Sequence, residues 1–250
     1  MPTLPDSQVA DILGTAVTII NPVLDALSSS DPIRLKKLTY LEDVDDPSLA
    51  RRGAELLGRL VNVSDWPGTK GWSTRSMTER ADWWMSRIGT LNTVAVAYPS
   101  VFGVWARRLP IGSMLGFANQ AMVAVAVARE YGVTDRTAHV ELLGSVLCGR
   151  ELDAVVAKEG EARAADEPSK KKRSLMGAAW EVAQVLRGLS DEMERRPQAP
   201  RVLRMLGAIP VLGAPVMYVG ERVALAKAVA LTKRWIVAHR ADIEPIDDEK

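Results

Sequence analysis

The side chains best suited to chemistry in this 250-residue chain are two histidines and one cysteine. His139 and His239 stand a hundred residues apart, and neither belongs to an HExxH motif or lies near a cysteine pair. The sequence therefore predicts no metal site. Cys148 has apolar neighbours, which favours a buried and unreactive thiol. Gly144-Ser145-Val146 lacks the GxSxG form of a nucleophile elbow.

Loops that bind phosphate are not indicated either. The segment Gly68-Thr69-Lys70-Gly71 is rich in glycine, but it lacks the GxxxxGK[ST] spacing and follows no strand pattern. The chain contains no GxGxxG motif. We therefore predict a protein without enzymatic activity and without a cofactor.

Tryptophan residues give a different signal, that of contact with a surface. Five of the seven lie between Trp66 and Trp105. Indole rings favour the membrane–water interface, where the ring is half buried and its N–H stays hydrated. Trp66 and Trp72, in the loop 64–74, are therefore candidate contact residues. A tryptophan-rich seam in the core beneath this loop is the alternative.

Residues 221–240 combine basic and apolar side chains at helical spacing. The candidate contact residues here are Arg222, Lys227, Lys233, Arg234 and Trp235. Basic residues interleaved with Trp and Leu on an amphipathic helix suit an anionic bilayer surface. A bundle helix with a basic outer face has the same pattern, so both interpretations stay open.

The net charge of +1 conceals an uneven distribution of charge. Residues 1–50 carry eight acids and three bases, and residues 241–250 carry five acids and one base, which leaves residues 51–240 at +10. A basic body between acidic ends suggests an anionic partner. A solvated surface with self-complementary ends is the other reading.

The apolar periodicity predicts an all-α fold, a multi-helix bundle of seven to ten helices. Alternation of the kind found in strands is absent from the sequence. Ser76-Met77-Thr78-Glu79 is a capping box that begins one helix. The clearest predicted helices are 6–28, 48–62, 76–97, 109–131, 135–147, 174–196 and the long segment that ends near residue 240.

The stretch from Leu109 to Ala128 organises this bundle, because its twenty residues carry no formal charge. A run of this length is either the central helix of a core or a marginal membrane span. Asn119 and Gln120 fall near its midpoint, where two amides in hydrocarbon are costly unless they are partnered. We therefore predict a buried central helix at 109–131 rather than a span.

The composition, 47% hydrophobic and 25% charged, is that of a globular protein. The predicted division places an N-terminal helical part at 1–168 and a C-terminal helical part at 169–240. The basic run Lys170–Arg173 lies in the linker between them. The acidic tail 241–250 is predicted to be disordered.

Two apolar patches resemble the EcsC protein family. One is Gly116-Phe117-Ala118 with Ala128-Arg129-Glu130-Tyr131-Gly132-Val133, and the other is Ile209-Pro210-Val211-Leu212-Gly213-Ala214. The resemblance covers about 110–240. The chain departs from the family at Val216-Met217-Tyr218-Val219, where an asparagine is usual. This resemblance implies a bacterial, mostly helical, membrane-associated protein, and it transfers no catalytic residue.

The sequence thus predicts a non-enzymatic helical protein that associates peripherally with the inner face of a bacterial membrane, its partner an anionic lipid surface. The alternative is a soluble helical adaptor that binds a protein partner through the same residues. Binding of nucleic acid through Lys170–Arg173 and Arg195–Arg204 is less favoured, because no helix-turn-helix or aromatic platform accompanies these bases.

Overall fold

The computed structural model describes residues 4–29, 66–88, 111–165, 175–189 and 213–239. These ranges contain eight α-helices and no strand, which confirms the predicted all-α fold. The helices are α1 (Asp6–Ser29), α2 (Lys70–Ser73), α3 (Met77–Trp83), α4 (Ile111–Glu130), α5 (Arg136–Leu143), α6 (Ala154–Ala165), α7 (Leu175–Leu186) and α8 (Gly213–Ala238). Single π-helical turns continue α3 (Trp84–Ile88) and α5 (Gly144–Cys148), and a 3₁₀ turn (Arg187–Leu189) follows α7.

Helix α4 is the centre of the bundle. Every residue from Leu115 to Ala128 is buried, so this helix has no exposed face over that length. It packs against α1, α3, α5, α7 and α8. Asn119 and Gln120 are buried with the rest. The predicted buried central helix is confirmed.

Several helix ends follow the chemistry that the sequence predicts. Ser76 accepts a hydrogen bond from the Glu79 N–H, while the Glu79 carboxylate accepts from the Ser76 N–H, which completes the capping box. Gly132 closes α4 with a φ of 87°, and the Val133 N–H donates to the Ala128 carbonyl. Asp135 caps α5 through the Ala138 N–H.

Helices α1 and α6 approach each other closely at two glycines. A Cβ placed on Gly160 would lie 2.5 Å from the carbonyl oxygen of Ala10, and one on Gly14 would lie 2.5 Å from that of Gly160. Glycine is therefore needed at both positions, because any side chain would force the two backbones apart. Ion pairs from Arg163 to Asp11 and from Arg150 to Asp6 flank this contact.

Among the described helices, α1 alone is long and apolar enough to cross a membrane, judged by length and composition. Within that stretch, 61% of the residues are buried inside the bundle. Its apolar face, which includes Val9, Leu13, Val17, Ile20 and Leu24, packs into the core. In this conformation α1 is therefore buried in the way that a core helix is.

Some predicted features lie outside the described residues. They are the helix 48–62, the part of helix 76–97 beyond residue 88, Trp105, the linker around residue 168, the run Lys170–Arg173, the segment Arg195–Arg204 and the tail 241–250. Helices α7 and α8 follow the predicted boundary in the chain, and both pack against α4. The described helices on the two sides of residue 168 therefore share one core.

Substitution at the α1–α6 contact tests its packing. We expect Gly160→Ala to lower the free energy of unfolding by about 1–3 kcal/mol, because the added methyl meets main chain that cannot move locally. Urea denaturation followed by circular dichroism measures this difference. Gly188→Ala is the matched control, since its Cβ would meet only the tip of the Ile12 side chain. Equal losses in both variants would contradict the proposed backbone contact.

Candidate functional site

Helix α8 has a buried face, two flanks and one exposed face. The buried face, which includes Leu225, Ala228, Val229 and Thr232, packs toward α4 and the rest of the core. From Ala226 onward the exposed residues recur every three or four positions, and Val219 lies two turns before them on the same side of the helix. This outer stripe of α8 consists of Val219, Ala226, Lys227, Ala230, Leu231, Arg234, Val237 and Ala238. At 1.5 Å per residue it extends for about 28 Å.

The outer stripe is mainly apolar. Val219 is 48% exposed, Leu231 38% and Val237 72%. Single exposed apolar side chains are ordinary on protein surfaces. These three, however, lie on one stripe, and Ala226, Lys227, Ala230 and Arg234 lie between them. Lys227 and Arg234 are the two bases of the stripe and lie two helical turns apart. The stripe therefore combines apolar area with positive charge.

Arg222 and Lys233 occupy a flank of α8 rather than the outer stripe. The Arg222 guanidinium donates to the carbonyl oxygens of Met85 and Ser86, at 3.3 and 3.5 Å. The Lys233 ammonium lies 3.7 Å from the Asp82 carboxylate and 6.0 Å from the centre of the Tyr131 ring. These two bases therefore lie beside the outer stripe, where their contacts join α8 to α3 and its π-helical turn. Their predicted role in surface contact stays a prediction.

Trp235 is on the inner side of α8. The indole is only 6% exposed, and it stacks on the His239 ring with 4.2 Å between ring centres. The His239 Nδ1 lies 2.9 Å from the carbonyl oxygen of Trp235. The predicted surface contact of Trp235 is corrected, since the helical rotation that exposes Arg234 turns the next residue toward the core.

The tryptophans between residues 66 and 84 form the tryptophan seam, made of Trp66, Trp72, Trp83 and Trp84. Their rings meet edge to face in four pairs, with centres 5.1 to 6.1 Å apart. Such pairs stabilise a core beyond the area that they bury. Trp72 is only 8% exposed, whereas Trp66 is half-buried. The predicted interfacial position of Trp72 is therefore corrected to a place in the core seam.

A turn and a helix cap fix the segment that carries Trp66 and Trp72. The Thr69 hydroxyl donates to the Trp66 carbonyl at 2.7 Å and caps α2 by accepting from the Trp72 N–H. Gly68, with a φ of 84°, makes the tight turn that this requires. Thr69 is thus a capping residue. At the other end of the seam, the Trp84 indole N–H donates to the Glu130 carboxylate at 2.8 Å.

His139 and Cys148 are both fully buried, so neither presents a reactive atom to solvent. The His139 Nε2 lies 2.9 Å from the Val133 carbonyl oxygen, and Nδ1 lies 3.2 Å from the Asn21 side-chain nitrogen. Desolvation by burial lowers the pKa of His139 from 6.5 to about 4, so the ring is neutral near pH 7. Among the described residues, no group of three or more His, Cys, Asp or Glu could hold a metal ion.

Two of the seven residues predicted for contact therefore lie on the outer stripe, namely Lys227 and Arg234. Sequence reasoning missed Val219, Leu231 and Val237, which supply the apolar part of the stripe. Apolar residues occur on every side of α8, so the sequence pattern does not reveal which of them remain exposed. Only the packing of the helix against α4 separates the two sets.

The hydrogen bond between Trp84 and Glu130 can be tested by substitution. We expect Trp84→Phe to lower the free energy of unfolding by about 1–3 kcal/mol, because Glu130 loses a donor where its side chain is nearly buried. Trp66→Phe makes the same change in a half-buried ring and should cost less. Urea denaturation of both variants gives the comparison, and a larger loss for Trp66→Phe would contradict this account.

Comparison of the chain with protein-family models, with curated proteins and with solved structures gives no match. The resemblance to the EcsC family stays a prediction from the sequence. Any functional assignment must therefore come from the side chains themselves. Among the described residues, the outer stripe of α8 is the feature with the clearest chemistry for contact.

Proposed function

We propose that this chain is a non-enzymatic helical protein that associates peripherally with the inner face of a bacterial membrane through the outer stripe of α8. One observation carries the proposal: Val219, Leu231 and Val237 stand exposed beside Lys227 and Arg234 on a single face. Apolar side chains enter the headgroup boundary of a bilayer, while bases attract anionic lipid.

The state of α8 before binding supports this proposal. Its inner face is buried against the core, and Arg222 and Lys233 fix its flank to the segment 82–86. The helix is therefore formed before it meets the membrane. Binding then requires little further ordering of the chain, whereas a peptide that folds on contact with lipid loses conformational entropy as it does so.

The charge of the chain supports an anionic rather than a neutral surface. Residues 51–240 have a net charge of +10, and α8 lies within this basic part. Long-range attraction would bring the protein to an anionic bilayer, and the apolar residues of the stripe would then hold it there. Both terms are needed, because two bases near the surface contribute only about 2 kcal/mol.

Neutralising the stripe tests the proposal. We expect the double variant Lys227→Gln and Arg234→Gln to bind anionic vesicles about thirtyfold more weakly, since two bases contribute about 1 kcal/mol each. Co-sedimentation with phosphatidylglycerol-containing vesicles at low salt measures this. Pure phosphatidylcholine vesicles should show little difference between variant and wild type, and added salt should reproduce the loss by screening.

The matched control is the double variant Lys158→Gln and Arg187→Gln. It removes the same two charges from exposed positions outside α8, and it should bind as the wild type does. An equal loss in the control would mean that net charge rather than the outer stripe governs binding. A wild-type protein that ignores anionic vesicles at low salt would instead favour the soluble adaptor, with a protein partner on the same stripe.

A further inference from the structure

Three helices meet at a polar cluster formed by the buried side chains of Asn21 (α1) and His139 (α5) and the partly exposed side chain of Arg129 (α4). The Asn21 amide nitrogen donates to the Val17 carbonyl at 3.2 Å. Its amide oxygen accepts from Arg129 at 3.4 Å, and its main-chain carbonyl accepts from the same guanidinium at 3.3 Å. Reversing the amide would lose the hydrogen bond to the Val17 carbonyl and the one from Arg129. The Asn21 nitrogen is therefore fixed as the group that faces His139.

This orientation determines the protonation state of His139. Its Nδ1 faces a donor, so Nδ1 must accept. Its Nε2 faces the Val133 carbonyl oxygen, so Nε2 must carry the hydrogen. Only one neutral tautomer satisfies both contacts. A second proton on Nδ1 would point at the Asn21 N–H group and break that hydrogen bond.

The charged groups around the cluster come from each helix that packs there. Arg129 of α4 and Arg136 of α5 oppose a positive charge on His139, while Asp135 at the start of α5 favours it. Asp25 of α1 is paired with Arg129, and Glu161 of α6 lies 3.8 Å from Arg136. Burial, which is the largest effect, and the two arginines together disfavour the charged ring more than the Val133 carbonyl and Asp135 favour it.

The contacts of this cluster connect α1 to distant parts of the chain. Asn21 is 118 residues from His139 and 108 from Arg129. By contrast, α4 and α5 are joined by a tight turn in which the Val133 N–H donates to Ala128. The cluster therefore joins α1 to the α4–α5 pair by polar contacts, beside the apolar packing of α1 against α4, α5 and α7. Pro22, which donates no main-chain hydrogen bond to the preceding turn, lies at the same level of α1.

We propose that Asn21, Arg129 and His139 form a proton-operated latch, in which protonation of His139 releases the C-terminal half of α1 from α4 and α5. Release exposes Ile20, Val23 and Leu24, which are buried in the closed state. The N-terminal half of α1 stays attached, because Gly14 and the pair Arg163–Asp11 hold it to α6.

The direction of the pH dependence follows from the lowered pKa. Between about pH 4 and 6.5 the open state binds a proton that the closed state does not, so falling pH favours opening. The pKa of His139 falls from 6.5 in the open state to about 4 in the closed state, which shifts the equilibrium between closed and open α1 by up to roughly 300-fold. The shift is complete below about pH 4 and absent well above pH 6.5.

Hydrogen exchange of the full chain, read by mass spectrometry, tests the latch without any lipid. We expect residues 17–29 of the wild type to lose protection by about tenfold or more between pH 6.5 and about pH 4. His139→Asn should resist this loss, because its amide oxygen can accept from Asn21 and it carries no charge. His239→Asn, which replaces the other histidine of the chain, is the matched control and should respond as the wild type does. The same loss of protection in His139→Asn as in the wild type would overturn the proposal.

A titration of the unaltered His139 ring covers the case in which His139→Asn fails to fold. In His239→Asn, His139 is the only histidine, so its imidazole signals need no further assignment. We expect this ring to titrate near the lowered pKa of about 4 together with the loss of protection at 17–29. Titration at its ordinary value of 6.5 with α1 still protected would also overturn the latch. Because no vesicle is present, the result is independent of the proposed binding through α8.

Discussion

The burial of α4 on every side is the constraint from which the rest of the described structure follows. A helix without a polar face must be covered by neighbours all around its circumference, and α1, α3, α5, α7 and α8 supply that cover. Small side chains such as Ala118, Ala121 and Ala124 let these neighbours approach closely. A single apolar helix thus determines how many others must pack, and it joins distant parts of the chain in one core.

The charged end of α4 fixes the directions in which two of those neighbours lie. Arg129 reaches α1, where it bonds to Asn21 and Asp25. Glu130, the next residue, points to the other side and accepts from Trp84 while lying 3.5 Å from Arg80. The turn after α4 then places His139 against Asn21. Arg129 therefore contributes to the proposed latch and Glu130 to the tryptophan seam. Both residues are held in place by the apolar helix α4, at whose end they lie.

The outer stripe of α8 is what remains after packing has used the rest of that helix. Its inner face covers α4, and its flank is fixed to the π-helical turn after α3 by Arg222. The rotation of α8 is therefore determined by internal contacts rather than by the surface. Lys227 and Arg234 stay outward together with Val219, Leu231 and Val237. The proposed membrane contact depends on this rotation, since it decides which side chains of α8 face outward.

The sequence by itself determined the elements whose causes are local. The apolar run 109–128 specified the central helix, the Ser76–Glu79 pair the start of α3, Gly132 the end of α4 and Asp135 the start of α5. Each of these signals acts within a few residues. The tertiary structure decided everything that needs a partner far along the chain. It placed Trp72 and Trp235 inside, drew Arg222 and Lys233 into internal contacts, and buried His139 against Asn21. A side chain's type sets what it can bind, but its exposure depends on which neighbouring helix covers it, and helical spacing alone does not encode that choice.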